Sequence, residues 1–120
     1  MVQSLNSKVD LVKDAIFYSI LPNYGKIMIG DAGFEFYNNA NPKKCIQIKW
    51  SNINYITASV MLKNKWIQRF AITLNNNKTY YFSAKQPKEV LRAINVYIPL
   101  NKMFHSLTIM DRIKNIFKRK

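Results

Sequence analysis

The sequence predicts a single, mainly β domain that ends in helical structure. Up to Ser83, short apolar segments, several of them alternating with polar residues, are separated by turn-forming residues, as in antiparallel strands. From Pro87 the apolar spacing changes to that of an amphipathic helix. The chain has 120 residues, 48% of them hydrophobic, which is enough for one core and typical of one domain.

Seven strand segments precede the change of period, and each is bounded by turn-forming residues. The clearest turn signals are 30–33, with two glycines around an Asp, and 75–78, with three consecutive Asn. In chain order the predicted strands are 9–20, 25–30, 34–37, 46–50, 53–62, 66–74 and 79–83.

A helix of about three turns is predicted next, from Pro87 to Pro99. Proline is favourable at the first helical position, and a second proline ends the pattern. The apolar face consists of Val90, Leu91, Ile94, Tyr97 and Ile98.

A basic amphipathic helix is predicted within the extension 101–120. Thr108, with Asp111 three residues later, is a plausible capping box. The apolar stripe is Ile109, Met110, Ile113, Ile116 and Phe117, and the basic residues are Arg112, Lys114, Lys118, Arg119 and Lys120. Such a helix lies on an anionic membrane or in a partner groove, or packs its stripe on its own domain, and both interpretations stay open.

Seven antiparallel strands followed by a helix is the plan of a PH-like domain, in which the helix closes one end of two near-orthogonal sheets. The strand series resembles that of GRAM-type members of this fold. The phrases that carry the resemblance are 24–29 before 34–36, then 46–53, then 70–83. The resemblance implies a seven-stranded antiparallel sandwich over 1–100, with 101–120 as its extension. A different small barrel is the alternative, because hairpin spacing does not fix strand order.

The charge is large and unevenly placed. The formal net charge is +13, with −1 in residues 1–42 and +14 in residues 43–120. This favours anionic partners, namely nucleic acid, acidic lipid headgroups or an acidic protein face. A single cysteine, Cys45, favours a reducing cytoplasm, and neither a signal peptide nor a membrane-spanning apolar run is predicted.

Catalytic, cofactor and metal sites are not predicted. His105 is the only histidine, and no acid or nucleophile near it in sequence suggests a triad. One His and one Cys cannot assemble a usual zinc site within one chain. The three glycines fit turns rather than a phosphate loop. We interpret the acids outside the helices as solvent-facing charges or turn formers: Asp10, Asp14, Asp31 and Glu35. The sequence therefore predicts a non-enzymatic protein.

Two groups of residues are candidate membrane or partner contacts. The turn between the fifth and sixth strands places an aromatic beside two ammonium groups, in Lys63, Lys65 and Trp66. The terminal helix contributes Arg112, Lys114, Phe117, Lys118 and Arg119. The alternative for Trp66 is a core position. Only Lys26 lies close to the first strand–strand loop, which argues against specific phosphoinositide recognition of the PH type.

Three stretches of the chain, 1–12, 24–38 and 58–72, resemble a bacterial family encoded beside the mannose-class phosphotransferase transporter operons of Firmicutes, the mannose-operon accessory (ManO-like) family. The resemblance runs over essentially the whole chain. It implies a cytoplasmic accessory or regulatory protein, with no catalytic residues to carry over.

Charge and resemblance together favour a protein that docks on the transporter or on the adjacent anionic lipid. The alternative is a nucleic-acid-binding regulator of the operon, which the basic segment permits. Against it, the sequence contains no helix-turn-helix, zinc finger or RNA-binding signature. A phosphoryl-transfer enzyme is the third possibility and lacks the necessary groups.

Overall fold

The computed structural model describes residues 3–61 and 66–107. Within those residues there are eight strands, one α-helix and two short 3₁₀ turns, at Trp50–Asn52 and Leu100–Lys102. The strands are β1 (Val9–Tyr18), β2 (Pro22–Gly30), β3 (Gly33–Asn38), β4 (Cys45–Lys49), β5 (Ile53–Met61), β6 (Trp66–Leu74), β7 (Thr79–Ala84) and β8 (Met103–Leu107), and the helix is α1 (Pro87–Asn95). The predicted mainly β class, with a helix after Ser83, is confirmed.

One sheet contains all eight strands in the order β4-β3-β2-β1-β7-β6-β5-β8. It consists of a first antiparallel meander, β1–β4, and a second, β5–β7. They are joined by the C-terminal part of β1, where Ala15 lies opposite Ala84 and Tyr18 opposite Tyr81. The N-terminal part of β1 pairs only with β2.

The strand β8 was missed by the sequence prediction, which gave residues 101–120 to a helical extension. Residues 103–107 instead pair in parallel with β5, with Met103 opposite Ile56 and Phe104 opposite Thr57, so the sheet is mixed rather than wholly antiparallel. Five residues with one alternation give a weak local signal, and nothing local indicates which free edge they will join. The predicted helix from Thr108 lies outside the described residues.

The core lies between the two meanders and is rich in phenylalanine. The ring of Phe82 on β7 lies 5.0 Å from that of Phe34 and 5.7 Å from that of Phe70, centroid to centroid. Each fully buried Phe or Ile contributes about 1.5–3 kcal/mol of burial free energy. The helix α1 adds Val90 and Ile94, both fully buried, which confirms the predicted apolar face at these positions.

Two predicted boundaries are wrong at Trp50 and at the end of the helix. Trp50 was placed in the fourth strand but lies in the 3₁₀ turn that follows β4, where its indole Nε1 donates to the Gly30 carbonyl at 2.9 Å. Its ring stacks on Tyr97, with centroids 4.9 Å apart. The helix ends at Asn95, so Tyr97 belongs to the turn after it. An indole N–H that needs an acceptor thus draws Trp50 out of strand pairing.

Candidate binding surfaces

The side chains that the sequence predicted as contacts lie outside the described residues. This holds for Lys63 and Lys65, and for all five predicted residues of the terminal segment: Arg112, Lys114, Phe117, Lys118 and Arg119. The backbone of Trp66 begins β6 and pairs with Met61, but its side chain is likewise outside what the structure describes. These assignments stay predictions.

The loop between β1 and β2 presents two apolar side chains to solvent. Ile20 is 99% exposed and Leu21 71% exposed, and we call this pair the apolar tip. The prediction that the first strand extends to Ile20 is wrong. Strand β1 ends at Tyr18, and the loop that follows is held by Asn23. Its side-chain amide donates to the Leu21 carbonyl at 2.9 Å and to the Ser19 hydroxyl at 3.0 Å. The apolar tip is therefore held in a defined loop.

Basic residues lie at the same end of the sheet as the apolar tip, on the connection between β3 and β4. Lys43 and Lys44 are both exposed. Asn38 links the two connections, since its amide lies 3.5 Å from the Asn23 side-chain oxygen while its own oxygen accepts from the Ala40 N–H at 2.8 Å. The sequence gave no sign of this juxtaposition, because the two loops are about 20 residues apart in the chain.

A cavity of about 220 Å³ opens between these two connections, below the lower limit of ordinary small-molecule pockets. Its floor is formed by core-facing Phe17, Phe36 and Ile46, and Lys44 and Asn23 lie at its rim. This end of the sheet thus combines an apolar recess, an apolar tip and ammonium groups.

A larger cavity, about 500 Å³, lies across β2, β1 and β7. Tyr24, 62% exposed, lines it together with Asp14 and Lys85, whose charged groups are 3.8 Å apart. It is an open groove whose charged groups neutralise each other. Asp14 is solvent-facing, as the sequence indicated.

The carboxylate of Glu35 is completely buried on the outer face of β3, so the interpretation of Glu35 as a solvent-facing charge is wrong. The sequence places Glu35 between core residues Phe34 and Phe36, which correctly turns it outward, but the N-terminal segment (residues 3–8) covers it. Five donors reach its oxygens: Ser4 Oγ at 2.6 Å, Asn6 Nδ2 at 2.8 Å, Leu5 N and Gln47 Nε2 at 2.9 Å, and the Tyr37 hydroxyl.

The balance of these interactions keeps Glu35 ionised. Burial raises the pKa of Glu35, but hydrogen bonds from Ser4, Tyr37, Leu5 and Gln47 outweigh burial, so the pKa lies below its ordinary value. Burial, followed by the hydrogen bond to Glu35, raises the pKa of Tyr37. Every carboxylate oxygen is occupied by donors from the chain itself, so we assign Glu35 a structural role rather than a catalytic one.

The rest of the N-terminal segment is fixed to the β2–β3 turn. Asn6 Oδ1 accepts from the Ala32 and Gly33 N–H groups at 2.7 and 2.8 Å. Asp31, exposed in its turn as predicted, accepts from Ser7 and Lys8, and the hydrogen bond from the Ser7 side chain is the main cause of its lowered pKa.

The outer face of the other half of the sheet carries exposed aromatic side chains. Tyr81 on β7 is 51% exposed, Tyr55 on β5 is 36% exposed, and Phe104 on β8 is 55% exposed. The sequence analysis did not single them out, although Tyr81 lies between core-facing Tyr80 and Phe82 and must therefore point outward.

The remaining chemistry-bearing residues are dispersed. His105 lies in β8 with its backbone opposite Ala58, and Cys45 is half-buried at the start of β4. Across the part of the chain that the structure describes, no three His, Cys, Asp or Glu residues are grouped as metal ligands would be. In that same part, α1 is too short and too polar to cross a bilayer, and no helix meets the requirement.

The fold recurs in a solved structure, the C-terminal domain of an unknown protein from Leishmania infantum. The likeness has a TM-score of 0.66 with 13% sequence identity and covers 75% of this chain and 83% of that chain. At this identity the likeness shows a shared fold. No curated protein matches the chain.

A family model described as "Domain of unknown function (DUF956)" matches residues 1–117. Because the match spans nearly the whole chain, the protein belongs to the DUF956 family.

Proposed function

We propose that this protein is a non-enzymatic, PH-like accessory protein that docks on the anionic membrane surface beside a mannose-family sugar phosphotransferase transporter. The PH-like assignment is supported by two antiparallel meanders joined through β1 and β7, with α1 following β7 and packing on the core. The link to the transporter is supported by the sequence resemblance alone.

The observation that carries membrane docking is the apolar tip at the same end of the sheet as the exposed Lys43 and Lys44. Moving an exposed Ile or Leu side chain fully out of water contributes about 1.5–3 kcal/mol. A lysine near an anionic leaflet contributes about 1 kcal/mol. Ile20 and Leu21 with two lysines therefore suffice for a reversible association, without a specific headgroup pocket.

The charge near the tip is available to a partner. Within residues 3–61 and 66–107, the ion pairs join Lys13 to Glu89 at 2.9 Å and Lys85 to Asp14 at 3.8 Å. Neither pair involves Lys43 or Lys44. The predicted basic helix of the extension and the Lys63–Trp66 turn belong to the same proposal as further contacts, argued from sequence alone.

Vesicle sedimentation with paired variants tests the proposal. The double variant Ile20→Ser, Leu21→Ser should lose at least about tenfold in affinity for vesicles containing phosphatidylglycerol. The matched control is Val96→Ser, Leu100→Ser, which removes two other strongly exposed apolar residues, 74% and 71%, that follow α1. It should bind as the wild type does, and Lys43→Gln with Lys44→Gln should weaken binding mainly at low salt.

Three results would count against this function. One is equal binding to neutral vesicles, and another is unchanged binding by the tip variant. The third is retention only when the transporter is present in the vesicles, which would make a protein surface the partner. Titration with operator DNA is the remaining arm, because tight sequence-selective binding would favour the alternative of a nucleic-acid-binding regulator of the operon.

A further inference from the structure

On the side of the sheet that faces away from the core, five adjacent strands, β1, β7, β6, β5 and β8, place residues in direct register. Tyr18 on β1 lies opposite Tyr81 on β7, which lies opposite Ala71 on β6. Ala71 lies opposite Thr57 on β5, and Thr57 lies opposite Phe104 on β8. We call this row and its neighbours Tyr55, Thr73 and Arg69 the open face.

The open face has aromatic sides and a low floor. Ala71 and Thr73 on β6 and Thr57 on β5 are small residues, so the floor lies below the rings on either side. Tyr81 and Phe104 stand three strand spacings apart, roughly 14 Å. The Phe104 ring meets Tyr55 edge-on, with centroids 6.0 Å apart, which holds this side of the face in place.

The electrostatics of the open face favour anions. The strands β5, β6, β7 and β8 contain no acidic residue in a chain of net charge +13. Arg69 on β6 is exposed, and its guanidinium carbon lies 4.2 Å from the centroid of the Tyr18 ring. A cation held over a ring at the edge of an aromatic surface can reach a phosphate while the neighbouring rings remain free.

We propose that the open face binds single-stranded nucleic acid, a function beyond the membrane docking proposed above. Unpaired bases stack on Tyr81 and Phe104, and Arg69 contacts the phosphate backbone. Base–aromatic stacking tolerates any sequence because every base has a flat face. Single strands fit better than a duplex, since a duplex hides its base faces and its grooves are usually read by a protruding helix or ribbon.

The open face is chemically different from the apolar tip. Its large side chains are flat rings rather than aliphatic chains. Thr57 in its floor is half-buried, and Thr73 is buried with its hydroxyl 3.1 Å from that of Thr79. The open face lacks the protruding aliphatic side chains of the apolar tip, whereas its flat rings provide the stacking surface that unpaired bases use. The observations therefore favour a nucleic acid over a lipid at this place.

Fluorescence anisotropy of labelled oligonucleotides of about 12 nucleotides, with the full chain at about 0.15 M salt, tests the proposal. Poly-U and poly-dT arms separate RNA from DNA, and binding of either supports the proposal. Tyr81→Ala and Phe104→Ala should each weaken binding about tenfold. Tyr81→Phe should bind as the wild type does, whereas Tyr81→Leu should behave like Tyr81→Ala, because a leucine keeps apolar area but offers no ring face.

A second readout concerns Arg69. Arg69→Gln should reduce the slope of log affinity against log salt by about 0.7, the value for one phosphate contact on a single strand. Arg69→Lys, which keeps the positive charge, should restore the slope. A variant that merely loosened the fold would not show this loss and recovery. An unchanged slope for Arg69→Gln would remove Arg69 from the proposed site.

The two proposals fail separately. The tip variant Ile20→Ser, Leu21→Ser should keep its oligonucleotide binding, and Tyr81→Ala should keep its vesicle binding. The open-face proposal is overturned by absence of oligonucleotide binding, by equal binding of Tyr81→Leu and wild type, or by a duplex of the same length binding as tightly. It is also overturned if the chain is a dimer that Phe104→Ser dissociates, because a second copy would then cover the face.

Discussion

The outer faces of the two meanders differ, although both enclose the same core. Over β2 and β3 the outer face is closed by the chain's own N-terminal segment, and a carboxylate lies beneath it with all its oxygens occupied. Over β5–β8 the outer face, on the residues described, is a row of exposed rings around a small-residue floor. The comparison indicates which polar groups maintain the fold and which side chains are free to meet a partner.

The closed face depends on the N-terminal segment lying close to the backbone of β2 and on hydrogen-bond donors for both oxygens of the buried carboxylate. A buried ionised carboxylate is strongly destabilising unless donors surround it, so Glu35 and residues 4–6 form one unit. The open face has no such requirement, because exposed Tyr and Phe rings cost little fold stability when their partner is absent. Substitutions should therefore damage stability on the closed face and binding on the open face.

The largest effect on stability is expected at Gly30, where the N-terminal segment crosses the end of β2. A methyl group at this position would clash with the Lys8 carbonyl oxygen and lie 2.7 Å from Asn6 Cγ. Gly30→Ala should lower the free energy of unfolding by about 3 kcal/mol, measured by urea denaturation. The control Thr57→Ala on the open face should cost less than about 1 kcal/mol. Equal midpoints for the two variants would contradict this assignment.

The next effect is expected at Glu35. Glu35→Gln keeps the shape but places an amide N–H₂ against groups that donate, among them the Leu5 N–H and the Tyr37 hydroxyl. We expect a loss of about 2 kcal/mol in the free energy of unfolding. Asp14→Asn is the matched control, since Asp14 is an exposed carboxylate on β1 in the same meander, and its removal should be nearly neutral. A neutral Glu35→Gln would show that the network does not hold the N-terminal segment.

Acid should destabilise the closed face through the same carboxylate. The pKa of Glu35 is lowered in the folded state from its ordinary value of 4.5, so its contribution is fully present above that value. The contribution is lost as the pH falls through the lowered pKa, because protonation removes an acceptor. The free energy of unfolding of the wild type should therefore fall more steeply between pH 6 and pH 3 than that of Glu35→Gln. Parallel pH curves for the two proteins would contradict the lowered pKa.

The sequence predicts the strands well where the signal is local. The hairpin around Gly30 to Gly33 and the turn at Asn75 to Lys78 are encoded by neighbouring residues, and Asn77 adopts the left-handed conformation that asparagine tolerates. Contacts between segments that are far apart in the sequence could not be predicted. Ser4 reaches Glu35 across 31 positions, and β8 pairs with β5 across 47. The exposed rings were accessible to prediction from alternation alone, since Tyr81 must point away from the core that contains Phe82.

The smallest effect on stability is expected on the open face, and it is the sharpest test of the comparison. Tyr81 and Phe104 are about half exposed, so Tyr81→Ala and Phe104→Ala should each change the free energy of unfolding by less than about 1 kcal/mol in urea denaturation. An exposed ring that contributes little to the stability of the fold is available to bind a partner. If either substitution cost as much as Glu35→Gln, the ring would belong to the fold. The distinction between a closed structural face and an open binding face would then be lost.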